Sequence, residues 1–261
     1  MNDILNQILN YINVYMLILA RCIGLFIASP IFGRKNLPNI FKLGFSMILA
    51  YIVLPFVDSS NLEYMPFLQI LFLSIKELGI GLVIGFIAFI VFSTFFLAGS
   101  FIDTDLGFSM ANVVDPQYGF QVPITGNLIY IISTLVFLII NGHHYLIKAL
   151  VNTFYILPIN SKINFDSSIL QFSIDIFNYI FVMAIKISIP VTVIILSTNL
   201  ILGILARTMP QMNVFVVGMP IKVLLGLLIL SIVFPYYEPI METVFKDMYK
   251  FIFNIIKLLQ G

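Results

Sequence analysis

The chain has 261 residues, 61% hydrophobic and 10% charged, with a mean hydropathy of +1.08. Soluble domains are nearer half apolar and a quarter charged, so this chain has too little polar surface to coat a water-facing core and reads as an integral membrane protein. Lys plus Arg number 13 against 12 Asp plus Glu, which leaves no basic field for nucleic acid; a single cysteine, Cys22, excludes an internal disulfide and a cysteine-based zinc site.

A spanning helix needs about 20 mostly apolar residues, so the distance between charges is the useful ruler. The first apolar run starts at Ile4, is interrupted by Arg21, and is predicted to end near Ser29-Pro30, because the proline biases Ser29 away from helical geometry. The acidic residue Asp3 ahead of it, and the length of the run, argue for a retained membrane segment rather than a signal peptide. Arg34, Lys35 and Lys42 crowd the next loop and place it on the cytoplasmic side, with Asp58 and Glu63 in the following loop outside. Leu43 to Val57 is short for a full span.

The block from Tyr64 to Ile102 carries Lys76 and Glu77 in its middle, and its second part, Leu78 to Ile102, is the best helix candidate. Gly81 and Gly85 share one face there, which lets a neighbouring helix approach closely. Asp103 to Gly126 breaks the pattern with three aspartates, two prolines and three glycines, and is expected to be partly non-helical. Asn127 to Leu150 is apolar around Asn141-Gly142-His143-His144, and Leu157-Pro158 ends it. Ser167 and Ser168 are expected to cap the next helix, which meets Pro190; Ile187 to Ala206 is expected to continue as another helix. Arg207 to Pro220 is a second broken stretch, Val223 to Phe234 the last strongly apolar segment, and the chain from Glu238 onward is amphipathic. The fold class is thus all-α, with about six hydrophobic segments, several kinked or too short.

Arg21, Lys76, Glu77, Lys186, Arg207 and Lys222 lie within or beside apolar runs, where an isolated charge costs several kcal/mol unless paired or hydrated. Each is a candidate inter-subunit or functional contact, or else an interfacial cation that snorkels. Lys76 and Glu77 are adjacent, point to different sides of a helix, and are expected to find partners elsewhere. His143 and His144 cannot face one centre from consecutive helical positions, and no ligand set accompanies them, so no metal or cofactor is expected. No nucleophile and base occur in a recognisable arrangement, and an enzyme is not expected. The small binding chemistry that remains open is a homodimeric secondary transporter with substrate at its broken helices.

Two irregular segments are more specific than composition. One is Leu106-Gly107-Phe108-Ser109-Met110-Ala111 leading into Asp115-Pro116-Gln117-Tyr118-Gly119-Phe120-Gln121-Val122-Pro123, with Asn141-Gly142-His143 downstream. The other runs from Ala206-Arg207-Thr208-Met209-Pro210-Gln211 through Asn213 and Gly218-Met219-Pro220-Ile221-Lys222. With Ala20-Arg21, Ser29-Pro30-Ile31-Phe32-Gly33 and the Pro38 to Gly44 segment, they resemble the FliR family of flagellar export-apparatus proteins, whose injectisome members are called SctT.

The resemblance implies a non-enzymatic subunit of a type III protein export gate in the bacterial inner membrane, at the flagellar basal body. It implies kinked helical hairpins, with a FliP-like half (about 1–165) followed by a FliQ-like half and amphipathic tail (166–261). Partners would be FliP-like, FliQ-like, FlhB-like and FlhA-like subunits, membrane lipid and unfolded secreted substrates. The family's pore plug would map to 106–122, on Leu106, Gly107, Phe108, Met110, Asn112, Val113, Val114, Asp115, Pro116 and Gln117. Arg21, Lys76, Glu77, Asp103, Asp105, Lys186, Arg207, Pro210, Gln211, Asn213, Gly218, Pro220 and Lys222 would serve subunit contacts or sit as intramembrane polar groups. Truncation after Phe234 is expected to affect assembly or FlhB docking more than conduction. A virulence system of the same family fits the same motifs.

Overall fold

A computed structural model describes residues 2–33, 37–57, 66–108, 123–164, 166–211 and 213–260. Among them the regular structure is helical: α1 (Asn2–Ala28), α2 (Asn39–Val53), α3 (Phe67–Leu106), α4 (Ile124–Ile139), α5 (Gly142–Ile156), α6 (Ser167–Thr208), α7 (Val214–Val233) and α8 (Tyr237–Gln260). Short 3-10 turns at Leu54–Phe56 and Phe234–Tyr236 each hold a proline in the first positions, where its missing N–H costs nothing. Five helical stretches are long and apolar enough to cross a membrane, or six if α4 and α5 count as one broken span. The expected all-α membrane class with about six segments is what the chain adopts.

Three boundaries differ from expectation for physical reasons. Lys76 and Glu77 do not break the third block, because both are satisfied by neighbouring elements, and α3 runs unbroken for 40 residues. Pro190 does not end a helix either: α6 continues through it for 42 residues. A proline removes the in-helix partner of the carbonyl four residues back and strains the turn before it. The carbonyl that Pro190 frees is that of Lys186, and the Tyr237 hydroxyl donates at 2.9 Å to the next one, that of Ile187. Pro220 likewise lies inside α7, near its amino end. The start of α6 is capped by Asp166, which accepts from the Ser167 N–H at 2.7 Å and from the Ser167 and Ser168 hydroxyls at 3.3 Å, so the serines are donors to the cap rather than the cap itself.

The chain forms two compact units, interleaved in sequence. The first comprises 1–90, 141–176 and 246–261. Its α1 and α3 approach to backbone contact: a Cβ on Gly24 would lie 2.8 Å from the Leu82 nitrogen, and one on Gly81 would strike the Arg21 carbonyl. The close-packing face anticipated at Gly81 and Gly85 is therefore real, and its partner is Gly24 on α1. Tyr249 of α8 donates to the Gly142 carbonyl at 2.8 Å, beside Asn141, whose φ of 57° makes the left-handed turn before α5.

The second unit comprises 91–140 and 177–245. Its centre is aromatic: Phe92, Phe137 and Phe245 meet pairwise with ring centroids 4.9 to 5.2 Å apart, and Phe95 joins at 5.4 Å from Phe245. All four rings are fully buried, in tilted and edge-to-face geometries that suit the aromatic quadrupole. Gly99 lies so close to Gly126 that a Cβ there would strike the Gly126 backbone, which draws the end of α3 onto the start of α4.

Candidate functional site

The sequence-predicted polar residues separate into two groups: those satisfied within the chain and those left exposed. In the first unit, Arg21 is fully buried and uses every guanidinium nitrogen. Its Nε donates to Glu77 Oε2 at 2.6 Å, its Nη2 lies 2.5 Å from the same oxygen, and its Nη1 donates to Thr153 Oγ1 at 2.9 Å. Nη2 also donates to the Leu157 carbonyl at 3.0 Å, and the guanidinium sits 3.9 Å above the Phe154 ring. The ammonium of Lys76 donates to the carbonyl oxygens of Ile159 and, at 2.9 Å, of Ser161.

The last carbonyls of a helix lack partners within it, so α1 and α3 supply cations to the carbonyls at and after the end of α5. Lys76 Nζ also lies 3.5 Å from Glu77 Oε1. The expectation that Lys76 and Glu77 do not meet is thereby corrected: a long lysine stem bends back around the helix surface to its neighbour. Two cations share one carboxylate, and the Thr153 hydroxyl and three carbonyl oxygens take further donors. This cluster holds elements together; it presents no nucleophile.

In the second unit the last turn of α3 is fixed on several sides. Asp103 accepts from the Thr125 N–H at 3.0 Å and from the Gly126 N–H at 3.5 Å, capping the amino end of α4. Asp105 accepts from the Thr192 hydroxyl of α6 at 2.6 Å. Leu106 is fully buried, and a Cβ on Gly226 of α7 would meet its side chain. Gly107 then turns with φ +84°, a value that favours glycine. Gly107 and Phe108 are partly exposed. The other predicted plug residues, Met110, Asn112, Val113, Val114, Asp115, Pro116 and Gln117, lie outside the described residues, as do Arg34, Lys35, Asp58 and Glu63.

Most of the remaining predicted residues face outward. Lys186 and Arg207 on α6 are exposed, Lys222 on α7 is partly exposed, and among the described residues none of the three has an ion-pair partner. Pro210, Gln211, Asn213 and Pro220 are exposed as well, with Asn213 Oδ1 accepting from the Val216 N–H at 3.4 Å as a weak cap for α7. Gly218 is buried, against Leu202.

The rings of His143 and His144 lie 4.1 Å apart between centroids, tilted by 39°, in the first turn of α5. No cluster of three metal-ligating side chains occurs among the described residues. The sequence reading missed Thr153, Thr192 and Tyr237, whose hydroxyls satisfy Arg21, Asp105 and the Ile187 carbonyl. The available signal was polar hydroxyls at positions where the helical pattern asks for carbon.

The sequence model of the family described as bacterial export proteins, family 1, matches residues 12–248. The chain belongs to this family, that of FliR. The flagellar biosynthetic protein FliR of Bacillus subtilis (strain 168) is 34% identical over 260 residues, covering 97% of this chain and 98% of that protein. FliR of Escherichia coli (strain K12) is 29% identical over 250 residues, covering 96% and 95%. The surface presentation of antigens protein SpaR of Shigella flexneri is 30% identical over 167 residues, 64% of each chain. As a FliR-family chain with membrane-length apolar helices, it is a membrane-embedded component of a bacterial export apparatus.

Proposed function

We propose that the chain is the subunit that completes a FliP/FliQ/FliR-type pore of the flagellar type III export gate, and that its 106–122 segment helps to plug the conduit for unfolded substrates. The observation that carries this reading is the length of its exposed apolar surface. On α6, Leu170 is 68% exposed and Ile204 is 65% exposed, with apolar residues such as Phe181, Ile189 and Leu196 exposed between them. At 1.5 Å per residue the helix from Leu170 to Ile204 is about 51 Å long, whereas a hydrocarbon core is about 30 Å thick. Fitting that length into lipid alone would need a tilt above the roughly 40° upper range of spanning helices. Other protein chains are the natural cover for the excess.

Lys186 supports the same reading. Its ammonium is exposed on α6, near exposed Val182, Ile185 and Ile189, and a lysine facing lipid at the centre of a span costs about 2.5–3.5 kcal/mol. A carboxylate or carbonyl of a neighbouring subunit would remove that cost. The feet of the proposed plug are tied by the Asp103 cap on α4, which makes the segment leave and return at one place. Flagellar rather than virulence export is favoured because named FliR relatives match over nearly their full length, while SpaR matches over about two thirds.

The deciding experiment is the intact mass of the tagged chain purified in mild detergent after co-expression with FliP-like and FliQ-like subunits. One copy retained with both partners is expected; a homodimer without them would overturn the pore-completing role. Within such a complex, Lys186→Glu together with Arg207→Glu should lower the yield of complete assemblies by about tenfold, with the chain itself still folded, since each reversal turns an attraction into repulsion. Unchanged yield would remove these cations from the interface. Replacing Phe108 and Met110 with glycine should raise ion conductance of the closed assembly, and an unchanged conductance would count against a seal there.

A further inference from the structure

A cleft of about 300 Å³ opens between α1 and α2 in the first unit. Its walls are carbon from Ile23, Phe26 and Ile27 on α1 and Leu43 on α2, while Asn39 and Lys42 bring the polar atoms. Ser46 also lines it, but its hydroxyl is spent on the Lys42 carbonyl at 2.8 Å. The size is at the lower end of ligand-binding cavities, roughly 300–1,000 Å³, and the composition matches their usual pattern of apolar walls with a few polar groups.

Lys42 decides what kind of ligand fits. Its ammonium has three donors, and one is used on the Gly33 carbonyl at 3.1 Å. Among the described residues no carboxylate pairs with it. An unneutralised cation at an apolar cleft is complementary to an amphiphile with an anionic head and a hydrocarbon tail. The surroundings favour lipid over a protein carboxylate. Ile40 is 85% exposed and Tyr51 72% exposed on the same helix, so α2 presents carbon outward along its length. Lys42 also follows Arg34 and Lys35 in sequence, and such basic loops lie at the cytoplasmic leaflet, where anionic lipids attract each basic residue by about 1 kcal/mol.

We propose that this cleft is a binding site for an anionic phospholipid. Its phosphate is held by Lys42 with Asn39, and one acyl chain lies along Ile23, Ile27 and Leu43. The lipid would fix α2 against α1 and neutralise Lys42, which has no acidic partner among the described residues. No residue of the cleft takes part in the plug or in the exposed cations of the second unit, so the proposal stands apart from the pore reading.

The test uses the full-length chain reconstituted in lipid nanodiscs with photoreactive phosphatidylglycerol, or with phosphatidylcholine carrying the same reactive acyl chain. Phosphatidylglycerol should label the peptides containing Ile23 to Ile27 and Asn39 to Ser46, and Lys42→Gln should reduce that labelling about tenfold, the usual scale for losing one charge-assisted hydrogen bond. Ile27→Trp, at an exposed position, should block acyl labelling. Excess inorganic phosphate should not compete. Equal labelling by both lipids, or indifference to Lys42→Gln, would reduce the cleft to ordinary lipid contact and overturn the proposal. Competition by inorganic phosphate would assign it to a free anion, and loss of lipid labelling on addition of export subunits that crosslink there would assign it to protein.

Discussion

Arg21→Ala should be the most damaging single substitution in the chain. It strands the buried carboxylate of Glu77 with only the more distant Lys76, and removes the donors to Thr153 and to the Leu157 carbonyl. Breaking a buried pair by deleting one partner costs about 3–5 kcal/mol, because the surviving charge stays desolvated, and whole-domain stabilities are only about 5–15 kcal/mol. Arg21→Lys should recover only part of the loss, since one ammonium cannot span the carboxylate, the threonine and the carbonyl that the planar fork reaches together. The informative variant is the double change Arg21→Met with Glu77→Leu. Replacing both ions by carbon of similar size removes the desolvation penalty along with the attraction, and should restore much of the stability lost in Arg21→Ala. Thermal unfolding of the purified chain in mild detergent checks the order: parent, then double variant, then Arg21→Ala. A double variant as unstable as Arg21→Ala would mean that the carbonyl and threonine contacts, rather than the ion pair, hold this region.

The same cluster explains what could be seen in the sequence and what could not. Prolines after α1 and α5 marked their ends because a proline restricts the residue before it, and those ends fall at Ala28 and Ile156. Lys76, Glu77 and Pro190 interrupt the apolar pattern in the same way, yet α3 and α6 run through them. The groups that meet them, Arg21 at Glu77, the carbonyls after α5 at Lys76 and the Tyr237 hydroxyl at the Ile187 carbonyl in the turn before Pro190, are 50 or more residues from the groups they bond. No periodicity within one segment carries that information.

Charges within apolar runs similarly stood out in the sequence without showing which of them bond inside the chain. Arg21, Lys76, Glu77, Asp103 and Asp105 bind inside the chain, while Lys186, Arg207 and Lys222 point outward; the alternation of apolar and polar residues around each is alike. The break in the pattern after Ile102 was legible as an irregular stretch, and Asp103 and Thr125, 22 residues apart, meet across it through the Thr125 N–H bond.

Deleting everything after Tyr236 should abolish accumulation of the folded chain, rather than spare it and weaken only assembly. The amphipathic pattern from Glu238 onward suggested a docking tail, but its apolar face is core in both units. Phe245 is fully buried among Phe92, Phe95 and Phe137, and Met248, Ile252 and Ile256 are fully buried in the first unit. The helix also carries the Tyr237 bond to the Ile187 carbonyl, the Tyr249 bond to the Gly142 carbonyl, and the Leu259 carbonyl that accepts from the Asn164 N–H at 3.1 Å. Truncating one buried phenylalanine to alanine costs about 3–5 kcal/mol, so removing this whole face exceeds the total stability of an ordinary domain. Phe245→Ala alone should lower the melting temperature clearly while leaving a foldable chain. Lys250→Ala and Lys257→Ala, on the exposed face, should leave it unchanged, because exposed ion pairs contribute about 0–1 kcal/mol. Membrane abundance and protease resistance of the tagged chain read all four variants. Normal abundance and resistance in the truncated chain would return the segment to the role of a tail, and an export defect confined to the two lysine variants would show that its charged face meets a partner while its apolar face builds the fold.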